Sequence, residues 1–173
     1  MADDKIKNRS EIIKLAGSIG KRGKRVVFTN GCFDILHKGH VKLLEKAKSL
    51  GDVLVVALNS DASVRKIKGP KRPLNNQRDR AAIVAALSSV DFVTFFNEST
   101  PENLIKQITP DVLVKGGDWQ KKDIVGSGYV ESRGGKVYSI KFIKGYSTSQ
   151  FINRIIKRFD PLRGKEPHRN GST

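Results

Sequence analysis

Residues 28–48 read FTNGCFDILHKGHVKLLEKAK. An apolar run opens the stretch, a turn rich in Gly, Cys and Asp follows, and the end has helical period. Val26 to Thr29 reads as a buried strand. Gly39 to Leu50 reads as a helix with Val41, Leu43, Leu44 and Ala47 on its apolar face and Gly51 as its stop. A strand turning into a helix is the first half of a βαβ unit. Two of the chain's three histidines sit in this turn, at 37 and 40.

The pattern repeats outward from there. Asp52–Leu58 (DVLVVAL), Asp91–Phe96 (DFVTFF), Asp111–Val114 and Lys136–Ile140 each read as strands. Between them lie a helix over Arg78–Ser88, with Ala82, Ile83, Ala86 and Leu87 facing inward, and a short helix opened by Thr100-Pro101. A helix covers about 121–133, and a last one runs from Ser147 through Arg158. Before the first strand, residues 10–19 place Ile12, Ile13, Leu15, Ala16 and Ile19 on one helical face, with Ser10 as N-cap. Continuously apolar strands that alternate with amphipathic helices mean a parallel sheet covered on both faces. The expected fold is therefore α/β: a Rossmann-like, doubly wound parallel sheet of about five strands in a single domain. Residues 1–24 form an N-terminal helical extension, 25–159 the domain, and 160–173 a Pro-, Gly- and charge-rich basic tail expected to be disordered.

Composition bounds the function. The 173 residues are 38% hydrophobic and 29% charged, as in a water-soluble globular protein. No run approaches the ~20 apolar residues of a membrane helix. The opening MADDKIKNRS has no apolar signal region. A single cysteine, Cys32, excludes an internal disulfide and a cysteine-based zinc site, and fits a reducing, cytoplasmic setting. The net charge of +16 favours polyanionic partners. Much of that excess lies in the two ends, and no basic stretch is interleaved with aromatics, so neither nucleic acid nor a membrane is expected as partner.

In a doubly wound sheet the ligand sits beyond the carboxyl ends of the strands. The residues there are Asn30 to Asp34, Asn59-Ser60-Asp61, Asn97-Glu98-Ser99, Lys115 to Trp119 and Gly145 to Ser149. No Gly-x-Gly-x-x-Gly and no Walker A loop occurs among them. Instead His37 and His40 flank the start of the first crossover helix, where free N–H groups and partial positive charge favour anions. Two imidazoles there can donate to phosphate oxygens, and Gly39 lets a phosphate approach the backbone. Taken alone, the same residues also suit a helix cap beside a surface histidine. Ser147 and Thr148 open the last helix with hydroxyls, a second anion site by the same logic.

Gly31 to His40 (GCFDILHKGH) resembles the signature of the cytidylyltransferase-like nucleotidyltransferase superfamily. Asn59-Ser60-Asp61, Lys68-Gly69, Arg72-Pro73, Arg80, Val90-Asp91, Asp111 to Asp118 (DVLVKGGD), Gly135 and Ser147-Thr148-Ser149 follow in order. Together they are similar to the adenylyltransferase domains that make ADP-heptose for lipopolysaccharide, over about residues 25–158. The resemblance implies heptose 1-phosphate and ATP as substrates, Mg²⁺ as cofactor and a homodimer. It implies that Cys32, Phe33 and Gly39 face the triphosphate, and that His37, His40 and Lys68 are catalytic. Arg80 would contact nucleotide phosphates. Lys115, Gly116, Gly117 and Asp118 would shape the base and ribose pocket, Ser147 and Thr148 would hold the β- and γ-phosphates, and Tyr146 and Ser149 would also bind the nucleotide. Lys66 and Lys68 would bind the sugar phosphate or the triphosphate, and Asp34 would help place the sugar phosphate and Mg²⁺. The implied reaction is in-line attack on the α-phosphate, run by positioning and electrostatics. Three rivals remain: a CTP-dependent enzyme acting on glycerol 3-phosphate or a related alcohol phosphate, a basic nucleic-acid-binding module, and a tRNA-synthetase-like fragment.

Overall fold

A computed structural model describes residues 2–143 and 145–159; the basic tail expected at 160–173 lies outside the described residues. In chain order the elements are α1 (Arg9–Lys21), β1 (Val26–Gly31), α2 (Lys38–Lys48), β2 (Val53–Asn59), α3 (Asp61–Lys68) and α4 (Gln77–Ala85). Then come β3 (Phe92–Phe96), α5 (Glu102–Ile108), β4 (Val112–Gly116), α6 (Ser127–Ser132), β5 (Lys136–Ile140) and α7 (Thr148–Phe159). The five strands form one parallel sheet in the order β3-β2-β1-β4-β5. The order reverses between β1 and β4, so the crevice beyond their carboxyl ends is the switch point.

Alternation of side chains splits the core in two. Val27 of β1, Leu54, Val56 and Leu58 of β2, and Val112 and Val114 of β4 pack against Leu43, Leu44 and Ala47 of α2 and Ala81, Val84 and Ala85 of α4. On the other face, Val26, Phe28, Val55, Ala57 and Leu113 meet Ile12 and Ala16 of α1, Leu104, Ile105 and Ile108 of α5 and Val130 of α6. Ile12 is fully buried; burying a side chain of that size stabilises by about 1.5–3 kcal/mol. Helix α1 is thus part of the second layer. Its cap is Asn8 rather than Ser10: Asn8 and Glu11 exchange side-chain and backbone bonds in a capping box.

Three local expectations are corrected. In α4 the inward residues are Arg80, Ala81, Val84 and Ala85, whereas Ala82, Ile83 and Ala86 are exposed and Leu87 is half-buried. The run AAIVAAL is apolar at every position and carries no phase; the buried Arg80 sets the rotation. Helix α3 is new: Ser60 caps it by accepting from the amide of Ser63, and Gly69, at φ 92°, ends it. The stretch 121–133 is a 3-10 turn, Lys121–Asp123, followed by the short α6. Helix α5 begins after Pro101, without a side-chain cap from Thr100.

Candidate nucleotide site

His37 is the N-cap of α2, and its Nδ1 accepts the backbone N–H of His40 at 3.4 Å. A neutral His37 therefore carries its proton on Nε2. The two imidazoles stack, with ring centroids 3.8 Å apart and planes 12° apart. Phe33 lies against His40 at 5.0 Å, and Tyr146 and Phe151 lie 6.3 and 6.4 Å from His37. Stacking holds His40 in place, because its buried Nδ1 has no hydrogen-bond partner among the described residues. Burial, and next the neighbouring His37, push the His40 pKa down to about 4. Burial also lowers that of His37. Both rings are then neutral near pH 7, and each presents one N–H.

The chain around the pair is closely built. Phe33 sits at φ 47°, a left-handed conformation that is rare outside glycine. A Cβ on Gly39 would stand 3.1 Å from the His37 ring and 3.1 Å from Cβ of Tyr146. This close approach brings the start of α7 to the start of α2. There Ser147 accepts the amide of Gln150 at 3.2 Å and caps the last helix, with Thr148 as its first residue and Ser149 exposed. Two helix N-termini therefore flank the imidazoles.

The other side of β1 carries a different set. Asn30 and Lys115 alternate with Thr29 and Val114, and so lie on the face of Phe28 and Leu113. Lys115 Nζ is 3.4 Å from Oδ1 of Asn30. Burial lowers its pKa; the charge of Lys68 acts in the same direction, while Cys32 opposes. Cys32 Sγ lies 3.8 Å from Oδ1 of Asn59. Burial raises its thiol pKa, although Lys68, Arg80 and Arg72 pull it down, so the thiol stays protonated.

Two charged residues expected to meet ligand are spent on the protein. Arg80 is fully buried. Its guanidinium donates to the carbonyls of Asn75 (3.1 Å), Cys32 (2.6 Å) and Asn59 (2.9 Å), and to the Asp61 carboxylate (2.7 Å). It ties the ends of β1 and β2 to α4 from below the site. Asp34, 2% exposed, accepts from Nε and a terminal nitrogen of Arg72, both at 2.7 Å. It also accepts from the amides of Leu74 and Asn75, both at 2.9 Å. Asp34 thus latches the 72–75 loop, and neither oxygen is left for a metal.

Gly116 and Gly117 keep the crevice beside α2 open. A Cβ on Gly116 would come 2.7 Å from both Leu43 and Phe142; one on Gly117, at φ 129°, would come 2.5 Å from Trp119. Trp119 donates its indole N–H to the Gly116 carbonyl at 3.2 Å and is half-exposed. Asp118 is exposed and pairs loosely with Lys141 at 3.7 Å. Lys66 and Lys68 are exposed on α3; Lys68 is electrostatically coupled to Cys32 and Lys115. Asn30 and Arg72 stood among the strand-end and motif residues without an assigned role; Phe151 is the site neighbour that the motifs did not include. Phe151 lies beyond the hydroxyl triplet, and nothing in the sequence signalled it.

An open parallel sheet with stacked neutral imidazoles, two helix N-termini and half-buried lysine at its switch point defines a nucleotide-binding α/β domain built for phosphate chemistry. Within that class the chain belongs to the cytidylyltransferase-like family, whose model matches residues 28–154. It is 52% identical over 158 residues to the bifunctional protein HldE of Pelobacter propionicus, covering 91% of this chain and 32% of the relative. It is 55% identical over 150 residues to that of Aliarcobacter butzleri, covering 87% and 31%. The chain thus spans about a third of the length of the curated relatives it matches. A lipopolysaccharide core biosynthesis protein from Thermoplasma volcanium shares the fold at a TM-score of 0.59 and 28% identity, over 72% of this chain and 100% of that one. Pantoate-beta-alanine ligase from Francisella tularensis, at 16% identity and a TM-score of 0.57, shares the fold alone. Among the described residues, no helix is long and apolar enough to cross a membrane.

Proposed function

We propose that the protein is a nucleotidyltransferase that joins heptose 1-phosphate to ATP, giving ADP-heptose and pyrophosphate for a heptose-containing glycan. The observation that carries the proposal is the stacked His37–His40 pair at the α2 N-terminus, 3.8 Å between rings. Neutral N–H donors at a helix N-terminus match an oxyanion whose charge grows in the transition state. An oxygen of the sugar phosphate attacks the α-phosphorus. The bond from that phosphorus to the bridging oxygen breaks, and pyrophosphate leaves with the electron pair. The enzyme forms no covalent bond. The start of α7, at Ser147 and Thr148, receives the departing phosphates.

The residues present do not fit the Mg²⁺ role expected of Asp34, whose oxygens are taken by Arg72, Leu74 and Asn75. Among the described residues no cluster of three metal-ligating side chains occurs. Magnesium, when bound, supplies charge neutralisation to the triphosphate and would arrive with it. Arg80 and Asp34 hold the site's floor and the 72–75 loop. The expected homodimer is tested by light scattering.

Pyrophosphate release tests the reading, with heptose 1-phosphate or glycerol 3-phosphate each offered with ATP or CTP. Turnover with heptose 1-phosphate and ATP is expected. Turnover with CTP and glycerol 3-phosphate would move the protein to the alcohol-phosphate branch, and no turnover with any pair would overturn the reading. His37→Ala and His40→Ala should each lower kcat by about 10²–10³-fold with circular dichroism unchanged. A variant that unfolds would make that histidine structural.

A further inference from the structure

We propose that Lys115, at the end of β4, is a specificity-determining residue that binds the phosphate of the acceptor, with Asn30 and Lys68 beside it, and not the base or ribose of the nucleotide. The inference rests on the nucleotidyltransferase reading above and says on which side of β1 each substrate lies.

A half-buried ammonium normally has an anionic partner, because desolvating a lone charge is costly. Lys115 has none. Its hydrogen bond is to the Asn30 amide oxygen at a long 3.4 Å, and it forms no ion pair among the described residues. Cys32 would support the charge only as a thiolate, and burial keeps that thiol protonated; Lys68, a second cation, acts against the charge. The acids that could neutralise it are engaged elsewhere: Asp34 on Arg72 and Asp61 on Arg80. A half-buried lysine with no carboxylate on it among the described residues, in the positive field of Lys68, describes a place for a dianion. A base or a ribose, both neutral, would leave both charges unmatched.

The sheet's alternation decides which dianion. Gly31 and Gly116 lie on the α2 face, where Phe33, Leu43 and Phe142 crowd them and the imidazoles stand. Lys115 and Asn30 lie on the opposite face, beside Cys32. In-line displacement needs nucleophile and leaving group on opposite sides of the α-phosphorus. The helix N-termini of α2 and α7 take the triphosphate on one side. Lys115 then holds the attacking phosphate monoester on the other, with the α-phosphorus between them beyond the end of β1.

Lys115→Met keeps the length and apolar stem and removes the charge; Lys115→Arg restores charge with different geometry. With ATP and heptose 1-phosphate varied separately, Lys115→Met should raise the acceptor KM roughly 10- to 100-fold, the range of one charge-assisted hydrogen bond. The ATP KM should stay within about twofold. Lys115→Arg should recover part of the acceptor KM, which a merely structural lysine would not require. A rise in the ATP KM with the acceptor unaffected, or no change in either, would overturn the assignment. Calorimetry separates this failure from failure of the functional reading. If the wild type turns over no pair, inorganic phosphate is titrated into wild type and Lys115→Met. A tenfold or greater loss of affinity with an unchanged melting temperature supports the subsite, and equal affinities refute it.

Discussion

Arg80→Met is the most informative single perturbation. Arg80 has the look of a phosphate ligand in the sequence and the environment of a structural tie in the fold. Its guanidinium is fully buried and makes four contacts of 2.6–3.1 Å, three to carbonyls and one to Asp61. Methionine fills comparable space with no donors. The variant strands the carbonyls of Cys32, Asn59 and Asn75 and leaves Asp61 without its cation. Removing one partner of a buried, hydrogen-bonded charge pair costs about 3–5 kcal/mol. Asp61 keeps partial contact with water, with 23% of its side chain exposed, which places the loss toward the lower end. For a domain of this size 1 kcal/mol moves Tm by about 2–4 °C, so a fall of about 6–15 °C is expected. Urea unfolding followed by circular dichroism measures the loss, and a titration of ATP in native buffer measures binding. The expected pattern is a large loss of stability with the ATP Kd changed less than about threefold in the fraction that remains folded. A variant within about 1 kcal/mol of wild type that binds ATP ten times more weakly would refute the reasoning and return Arg80 to the phosphates.

Two further outcomes follow from the same structure. The folded-state pKa of His40 is depressed to about 4 from 6.5, so between those values the unfolded chain binds the extra proton. The stability linked to a neutral His40 is complete above pH 6.5 and is lost as pH falls toward 4; the urea midpoint should drop over that window, and His40→Gln should flatten the slope. Gly116→Ala places a methyl 2.7 Å from Leu43 and Phe142; it should cost about 1–3 kcal/mol of stability, and a neutral effect in urea unfolding would show that the crevice wall yields.

Much of the architecture could be read from the chain. Strands such as VLVVAL are apolar without a break because both faces are covered, and all five appear where that run predicts them. Boundaries moved by a residue or two, which caps decide: Asn8 outcompetes Ser10 because Glu11 completes its box. The misplaced face of α4 has a different origin. Its run of apolar residues contains no period, and the face is chosen by a buried arginine that bonds to β1 and β2. The short α3 escaped notice because it has few apolar residues and depends on the Ser60 cap.

The site divides along the same line. His-x-Gly-His and the hydroxyls at 147–149 announced themselves, because a helix N-terminus is a local feature and its chemistry travels with the sequence. The roles of the charged residues did not. Asp34, Arg80 and Lys115 look equally available in one dimension. In the fold, Asp34 is closed by Arg72 from 38 residues away and Arg80 by the carbonyl of Cys32 from 48 residues away. Lys115 is left half-buried with no acid on it among the described residues. The sequence by itself determined the order of elements and where phosphate chemistry could occur. Only the tertiary structure decided which charges the protein itself neutralises and which it leaves without an acid among the described residues. What a charge does depends on what desolvates it and what neutralises it, and both come from distant parts of the chain.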